Sequence, residues 1–265
     1  MNAFDLDAYL ARIGHSGRPR ADLETLRGLQ FAHLCAVPFE NLDIHLGVPI
    51  SLDIEHLFEK IVSRRRGGYC FEQNTLFLRA LRETGFDVTP REARVGSQDA
   101  VASPRDHMVI EVAVDGAGYF ADAGFGADSS LYPLRIGGPE TSEDGRTFRT
   151  VDEEGLDVAQ RLSEGVWRDL YVVQPGEPSE ADYEVANWYT STHPESGFVL
   201  TPTVQLQSLR ARRVLRRRTY TRTEGGVETK QRLSDAEIRR VLRDEFRIDL
   251  GEDVGRIDFD GRGDH

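Results

Sequence analysis

Arg64-Arg65-Arg66-Gly67-Gly68-Tyr69-Cys70-Phe71-Glu72-Gln73-Asn74 stands near the end of the helical third of a 265-residue chain and decides how the rest is read. The basic run and two glycines lead straight into an apolar, helix-periodic stretch (Cys70, Phe77, Leu78, Leu81), which reads as a loop delivering Cys70 to a helix N-terminus. The free N–H groups and macrodipole at such an end favour an anion, so a thiolate is expected to be more accessible there at neutral pH. The chain has 2 cysteines, which excludes a disulfide framework as its organising feature.

Upstream, helices are expected from three periodic sets: Leu6, Tyr9, Leu10 and Ile13 ending at Gly14; Leu23, Leu26, Leu29 and Leu34; and Ile54, Leu57, Phe58 and Ile61 behind the caps Ser51 and Asp53. A fourth starts near Cys70 and stops at Gly85. From Val88 the period switches to short alternating or β-branched runs: Glu92 to Val95, His107 to Val114, Tyr119 to Asp122, Phe148 to Val151 and Val166 to Val173. That is the pattern of an antiparallel sheet or small barrel. Val204 to Leu209 and Arg213 to Arg222 read as further strands, the second turning at Glu224-Gly225-Gly226 into Val227 to Leu233. Ser234 or Asp235 then caps a helix carrying Ile238, Val241, Leu242 and Phe246. The acidic, glycine-containing tail from Gly251 to His265 reads as mobile. No internal repeat or low-complexity linker interrupts the chain, so three regions, 1–86, 87–190 and 191–265, are expected to pack as one α+β molecule.

The segment from His107 to Asp122 reads as a β-hairpin with Asp115-Gly116 as its turn. A two-residue loop sets Val114 opposite Ala117 and Asp122 opposite Val109, which shares a strand face with His107 because side chains alternate with period 2. His107 and Asp122 then project from one face as diagonal neighbours. Met108, Ile110, Val112 and Val114 make the other face uniformly apolar and fit for a core. A thiol, an imidazole to take its proton and a carboxylate to hold the imidazole form a nucleophile–base–orienter set.

Composition narrows the partners. A formal charge of −12 argues against nucleic acid and anionic membranes, both of which reward a basic surface, but leaves room for a local basic pocket for a phosphorylated ligand. The first seven residues lack a signal-peptide pattern and no apolar run approaches the roughly 20 residues of a membrane span. A cytoplasmic location is therefore expected, and a reducing compartment suits a free thiol. His33, His45, His56 and His193 lack the spacing of a zinc site, so no metal is expected. Cys35, on an apolar helical stretch, is read as a core residue, and Arg64, Arg65 and Arg66 as a solvated turn in preference to a phosphate-binding one. Asp122 suits both orienting His107 and capping the turn Gly124-Phe125-Gly126. That turn either cradles a phosphate or lets substrate approach the Cys70 sulfur, with Phe125 as an apolar wall. In the loop from Ser103 to Asp106 no cofactor contact is assigned to Pro104, which lacks an N–H.

Five segments taken together, Val37-Pro38-Phe39-Glu40-Asn41-Leu42, Arg66-Gly67-Gly68-Tyr69-Cys70-Phe71-Glu72, Asp106-His107, Asp122-Ala123-Gly124-Phe125-Gly126, and Asn187-Trp188-Tyr189 followed by Ser191-Thr192-His193-Pro194, resemble the arylamine N-acetyltransferase family along nearly the whole chain. The resemblance implies an N-terminal helical bundle, a central antiparallel β-barrel and a C-terminal α/β lid around a cysteine-protease-like catalytic core. It implies an acyltransferase that takes acetyl from acetyl-CoA, carries it as a thioester on Cys70 and delivers it to the nitrogen of an arylamine or arylhydrazine. Cys70, His107 and Asp122 would be its triad, and Phe39, Tyr69, Phe125, Gly126 and Phe198 its substrate pocket. By composition alone Phe39, Tyr69 and Phe198 suit a core equally well. An amide synthase of similar fold, closing a macrolactam from a carrier-bound polyketide, would use the same triad with a different pocket volume near Phe125 and Phe198. Cysteine hydrolases and transglutaminase-like proteins share the order of the three residues but lack the flanking motifs, and a binding protein with a disabled triad is at odds with three intact members.

Overall fold

Asp5 and Asp22 accept backbone N–H groups from Ala8 (3.1 Å) and Thr25 (2.9 Å), and these caps open helices α1 (Leu6–Ile13) and α2 (Leu23–Ala36) where the sequence pattern puts them. The computed structural model describes residues 4–96 and 104–261. Short helices α3 (Leu42–His45) and α4 (Ile54–Leu57) follow, α4 running on through a π-helical turn at Phe58–Ser63 behind the Asp53 cap. Helix α5 (Cys70–Thr84) ends at Gly85, whose φ of 92° is a left-handed stop. Phe71, Leu76, Phe77 and Leu81 on α5 are wholly buried in the helical core, each burial contributing about 1.5–3 kcal/mol.

Among the described residues the strands form two sheets. Strand β1 (Phe39–Glu40) precedes α3; β2 (Asp87–Val95), β3 (His107–Val114), β4 (Ala117–Ala121), β5 (Leu134–Arg135), β6 (Thr141–Glu143), β7 (Arg146–Glu153), β8 (Leu156–Ser163) and β9 (Val166–Val173) follow α5. The second to ninth make an eight-stranded antiparallel sheet in the order β5-β4-β3-β2-β9-β8-β7-β6. Thr150 Oγ1 on β7 donates to the Arg135 carbonyl (2.7 Å) and accepts the Gly137 N–H (2.9 Å), so the β5 edge curls back toward β7 and nearly closes the sheet into a barrel. Helices α6 (Glu180–Thr192) and α7 (Gly197–Leu200) then lead to β10 (Thr203–Gln207), β11 (Ala211–Arg216), β12 (Thr219–Glu224), β13 (Val227–Arg232) and α8 (Asp235–Phe246). These last strands form the sheet β1-β10-β11-β12-β13, and the pair Phe39↔Gln205 stitches it to the helical region. The architecture is α+β, with helices first and a barrel-like antiparallel sheet at the centre.

The hairpin β3–β4 has the expected register. Val114 pairs with Ala117 and the ladder runs to Ile110↔Ala121, one step short of Asp122. Met108, Ile110, Val112 and Val114 enter the helical core, while Val109 and Phe120 enter the barrel core.

Two expectations are corrected. Arg213 to Arg222 is two strands, β11 and β12, because Arg217 turns the chain at φ 53°. The tail is anchored rather than mobile through residue 261: Val254, Ile257 and Phe259 are buried with Ile238, Leu242 and Phe246. Residues 262–265 lie outside the described residues. No described helix is long and apolar enough to cross a membrane.

His33 sits in the helical core between Tyr9 Oη (2.8 Å from Nδ1) and Gln73 Oε1 (3.1 Å from Nε2). Burial pushes its pKa down to about 3. Below the ordinary histidine value of about 6.5 the unfolded chain binds a proton that the native state refuses, so stability is present above that pH and falls as pH drops, by about 1.4 kcal/mol per unit from this group. His33→Gln should therefore flatten the dependence of the urea midpoint on pH between about 6.5 and 4 relative to the wild type. Equal slopes in the two proteins would contradict this assignment.

Candidate active site

The loop before Cys70 is held from beneath by buried charge. Glu40 Oε1 accepts from Arg66 Nε (2.9 Å) and the Gly67 N–H (3.3 Å), and Oε2 accepts the Leu42 N–H (2.8 Å). Arg66 also reaches Asp43 (2.8 Å), and Lys60 bridges Asp43 and Glu72 at 2.7 Å each. Glu72 Oε2 in turn accepts the Tyr69 N–H (3.0 Å), the backbone half of a capping box on α5. Removing one member of such a buried set leaves charges unpaired and costs about 3–5 kcal/mol. Arg66 is thus neither solvated nor a phosphate ligand; Arg64, 60% exposed, fits the solvated reading. Both glycines are packing requirements: a Cβ on Gly67 would lie 1.9 Å from the Pro38 carbonyl, and one on Gly68 2.8 Å from Glu72.

Cys70 opens α5, buried, with its Sγ donating to the Asp106 carbonyl at 3.5 Å, immediately before His107. His107 Nε2 meets Asp122 Oδ2 at 2.7 Å. Asp122 Oδ1 accepts from Asn74 Nδ2 (2.9 Å) and the Gly124 N–H (2.9 Å), so this carboxylate both faces the imidazole and caps the turn. Asn74 completes the arrangement: Nδ2 also donates to the Met108 carbonyl (2.6 Å) and Oδ1 accepts the Ala123 N–H (2.9 Å). Gly124 lies so close that a Cβ there would stand 2.8 Å from Cys70 Cα. Three segments remote in sequence, at 70–74, 106–108 and 122–124, therefore meet. With Nε2 turned to Asp122 and carrying the hydrogen, Nδ1 is the ring nitrogen left to accept a thiol proton.

The expected ease of thiolate formation is corrected. Burial, then the carboxylates of Asp106 and Asp122, push the Cys70 thiol well above its ordinary range; the Phe71 N–H at the helix end pulls the other way and is outweighed. An unaccompanied thiolate is disfavoured here.

The aromatic residues divide into two groups. Tyr69 and Phe198 stand edge to face (5.4 Å), Phe39 is 6.0 Å from Phe198, and Tyr69 Oη donates to the Asn187 side chain. Phe125 stands edge-on to His107 (5.3 Å) and against Tyr171 (5.5 Å), which itself lies 5.2 Å from His107. Gly126, at φ 95°, is packed so that a Cβ would meet Gln205 Oε1 at 2.9 Å. Asn74 and Tyr171 were not singled out from the sequence. Asn74 carries a faint signal, four positions after Cys70 and so on the same helix face; Tyr171 carries none.

Cys35 is half-buried, and burial pushes its thiol up to about 11. The four histidines considered for a metal have separate neighbours: His33 as above, His45 beside Asn41, His56 beside Asp53 and His193 stacked on Tyr189. A cavity of about 420 Å³ opens between α8 and the tail, lined by Arg218, Asp235, Arg239, Val254 and Phe259, and includes none of Cys70, His107, Asp122 and the aromatic residues around them.

The chain matches the N-acetyltransferase family profile over residues 22–254. It is 41% identical over 265 residues to an arylamine N-acetyltransferase of Mycolicibacterium smegmatis, covering 96% of this chain and 95% of that one. Identity to arylamine N-acetyltransferase 1 of Homo sapiens is 33% over 275 residues, covering 93% and 94%. Among solved structures, the Mycobacterium marinum arylamine N-acetyltransferase in complex with CoA superposes with a TM-score of 0.89 at 33% identity, over 96% of this chain and 97% of that one. The M. smegmatis arylamine N-acetyl transferase gives 0.89 at 38%, over 96% and 98%.

If His107 takes the Cys70 proton, the alkylation rate with iodoacetamide should reach its plateau below the ordinary thiol value of about 8.5 in the wild type. In His107→Gln, burial and the two carboxylates act alone, so the rate should rise only above that value. Cys35 should react slowly in both proteins. A shared pH midpoint for Cys70 in the two proteins would contradict the pairing.

Proposed function

This chain belongs to the arylamine N-acetyltransferase family and is an acyltransferase, and we propose that it moves an acetyl group from acetyl-CoA to the nitrogen of an arylamine or arylhydrazine through an acetyl-thioester on Cys70. The observation that carries this reading is the 2.7 Å contact of His107 Nε2 with Asp122 Oδ2 beside a buried thiol at the start of α5.

His107 Nδ1 removes the Sγ proton as sulfur attacks the thioester carbonyl carbon, and the Asp122 carboxylate stabilises the imidazolium that forms. The carbon–sulfur bond to CoA breaks, the CoA sulfur takes the imidazolium proton, and the acetyl group remains on Cys70. An arylamine is weakly basic and arrives neutral at pH 7. Its nitrogen attacks the acetyl-thioester, its proton passes to His107, and Sγ is reprotonated as the amide leaves. The high thiol pKa imposed by burial makes the imidazole indispensable, because sulfur becomes anionic only while His107 holds its proton.

Phe125 and Tyr171 wall the imidazole and exclude water, which slows hydrolysis of the acetyl-enzyme. Phe39 and Tyr69 are buried in the helical core, and Phe198, half-buried against them, is the one of the three that offers a ring to a flat acceptor. A reducing, cytoplasmic compartment fits the same reading, since Cys35 and Cys70 are both free thiols.

Intact-mass measurement after mixing the protein with acetyl-CoA, with no amine present, should reveal one acetyl adduct, mapped to Cys70, with release of free CoA. Cys70→Ala should give neither the adduct nor amine acetylation. Undiminished amine acetylation by that variant would overturn the mechanism.

A further inference from the structure

Arg146, Arg161 and Arg212 converge on the short loop that follows the Gly124-Phe125-Gly126 turn. Arg146 is nearly buried and serves the loop itself, donating to the carbonyls of Ala127 (3.4 Å) and Ser129 (3.2 Å) and pairing with Glu143 (3.0 Å). Arg161 and Arg212 are different. They come from separate sheets, on β8 and β11, and share one oxygen, Asp128 Oδ1, at 2.5 and 3.1 Å. Their side chains are 22% and 28% exposed and that of Asp128 is 59% exposed. Two guanidiniums thus share a single exposed carboxylate, a local excess of positive charge on a chain whose formal charge is −12. That excess is felt nearby: burial lowers the Arg146 pKa and, against the pull of Glu143, Arg212 and Arg161 lower it further.

The cluster lies within reach of the chemistry. Gly124 touches Cys70, and the four residue steps from Gly124 to Asp128 span at most roughly 14 Å. Each guanidinium presents five N–H donors in a fork suited to phosphate oxygens, and only one donor of each is engaged by Asp128. A phosphate competes well with an exposed carboxylate for such a pair. The acyl end of the same molecule would then run along the turn toward Cys70.

We propose that Arg161 and Arg212 seat the phosphate groups of the CoA thioester, with Asp128 as the internal anion that the ligand displaces. The proposal rests on the reading of the chain as an acetyl-CoA-dependent acyltransferase and assigns residues to the donor's binding.

The test compares the full-length wild type with Arg161→Gln/Arg212→Gln, reading the rate of Cys70 acetylation by mass against donor concentration. With acetyl-CoA, the double variant should need about tenfold more donor for half-saturation, since charge-assisted bonds to phosphate are lost. The rise in half-saturation with salt seen in the wild type should also flatten. With S-acetylpantetheine and 4-nitrophenyl acetate, which carry no phosphate, variant and wild type should differ by less than about twofold. Acetyl-dephospho-CoA identifies the source: a loss of the arginine dependence with this donor assigns the 3′-phosphate to the pair, and its persistence assigns the pyrophosphate, either outcome supporting the seat. An equal loss with the phosphate-free donors would reduce the pair to a structural role, and unchanged acetyl-CoA dependence would put the phosphates elsewhere. A wild type that is acetylated by 4-nitrophenyl acetate but never by acetyl-CoA would instead overturn the donor assignment itself.

Discussion

Everything at the site hangs on the side chain of Asn74. It is wholly buried and spends both ends of its amide on the hairpin: Nδ2 on the Met108 carbonyl and Asp122 Oδ1, Oδ1 on the Ala123 N–H. Since Asn74 and Cys70 share a face of α5, this clamp fixes the distance between the sulfur-bearing helix and the strands that carry His107 and Asp122. Gly124 closes the remaining gap, because any Cβ would strike Cys70 Cα. Gln30 on α2 adds a second hold, accepting the Asp122 N–H at 3.1 Å and donating to the Ser130 carbonyl. The carboxylate is therefore oriented by helices on both sides before it meets the imidazole, as preorganised catalysis requires.

The charged cluster beneath the Arg66–Cys70 loop supports the same geometry from the other side. Three carboxylates (Glu40, Asp43, Glu72) and two cations (Lys60, Arg66) are buried together, and their hydrogen bonds end on backbone N–H groups of Leu42, Gly67 and Tyr69. Such a cluster adds little net stability over an apolar core of equal volume. Its effect is to fix one backbone path through Gly67 and Gly68, and so the point at which α5 begins. Burial raises the Glu72 carboxyl while Lys60 draws it back, which ties this capping residue to its partner across the loop.

Local signals made much of this legible in the sequence. The cap Asp53, the stops at Gly14 and Gly85, and the Asp115-Gly116 turn each act within a few residues, so these helix ends and the hairpin register follow directly. Strand β8 was missed although Glu154-Gly155 and Glu164-Gly165, all at positive φ, bracket it as hairpin turns. Helix α6 was missed despite the Ser179–Asp182 capping box, because only Tyr183, Asn187 and Thr190 of its residues are buried and its periodicity is weak. Arg66 was misread because its partners Glu40 and Asp43 lie 26 and 23 residues away, beyond any pattern in its neighbourhood. The split between β11 and β12 was hidden for another reason: Arg217 adopts a left-handed conformation with no glycine to mark it.

Burial, Asp106 and Asp122 all oppose a free thiolate at Cys70, yet the same Asp122 stands 2.7 Å from His107 Nε2. In the proposed mechanism proton transfer to His107 is inseparable from nucleophilic attack, so the carboxylate costs the isolated anion and favours the ion pair. The most direct measurement is the pH profile of single-turnover Cys70 acetylation in Asp122→Asn. Asparagine keeps the shape and can still accept from Asn74 and Gly124, but it cannot stabilise imidazolium. The rate at neutral pH should fall by orders of magnitude, of the kind seen when a triad carboxylate is neutralised, and what remains should climb only at alkaline pH. A rate and profile close to the wild type would show that Asp122 is a turn cap alone and that Cys70 draws its reactivity from elsewhere.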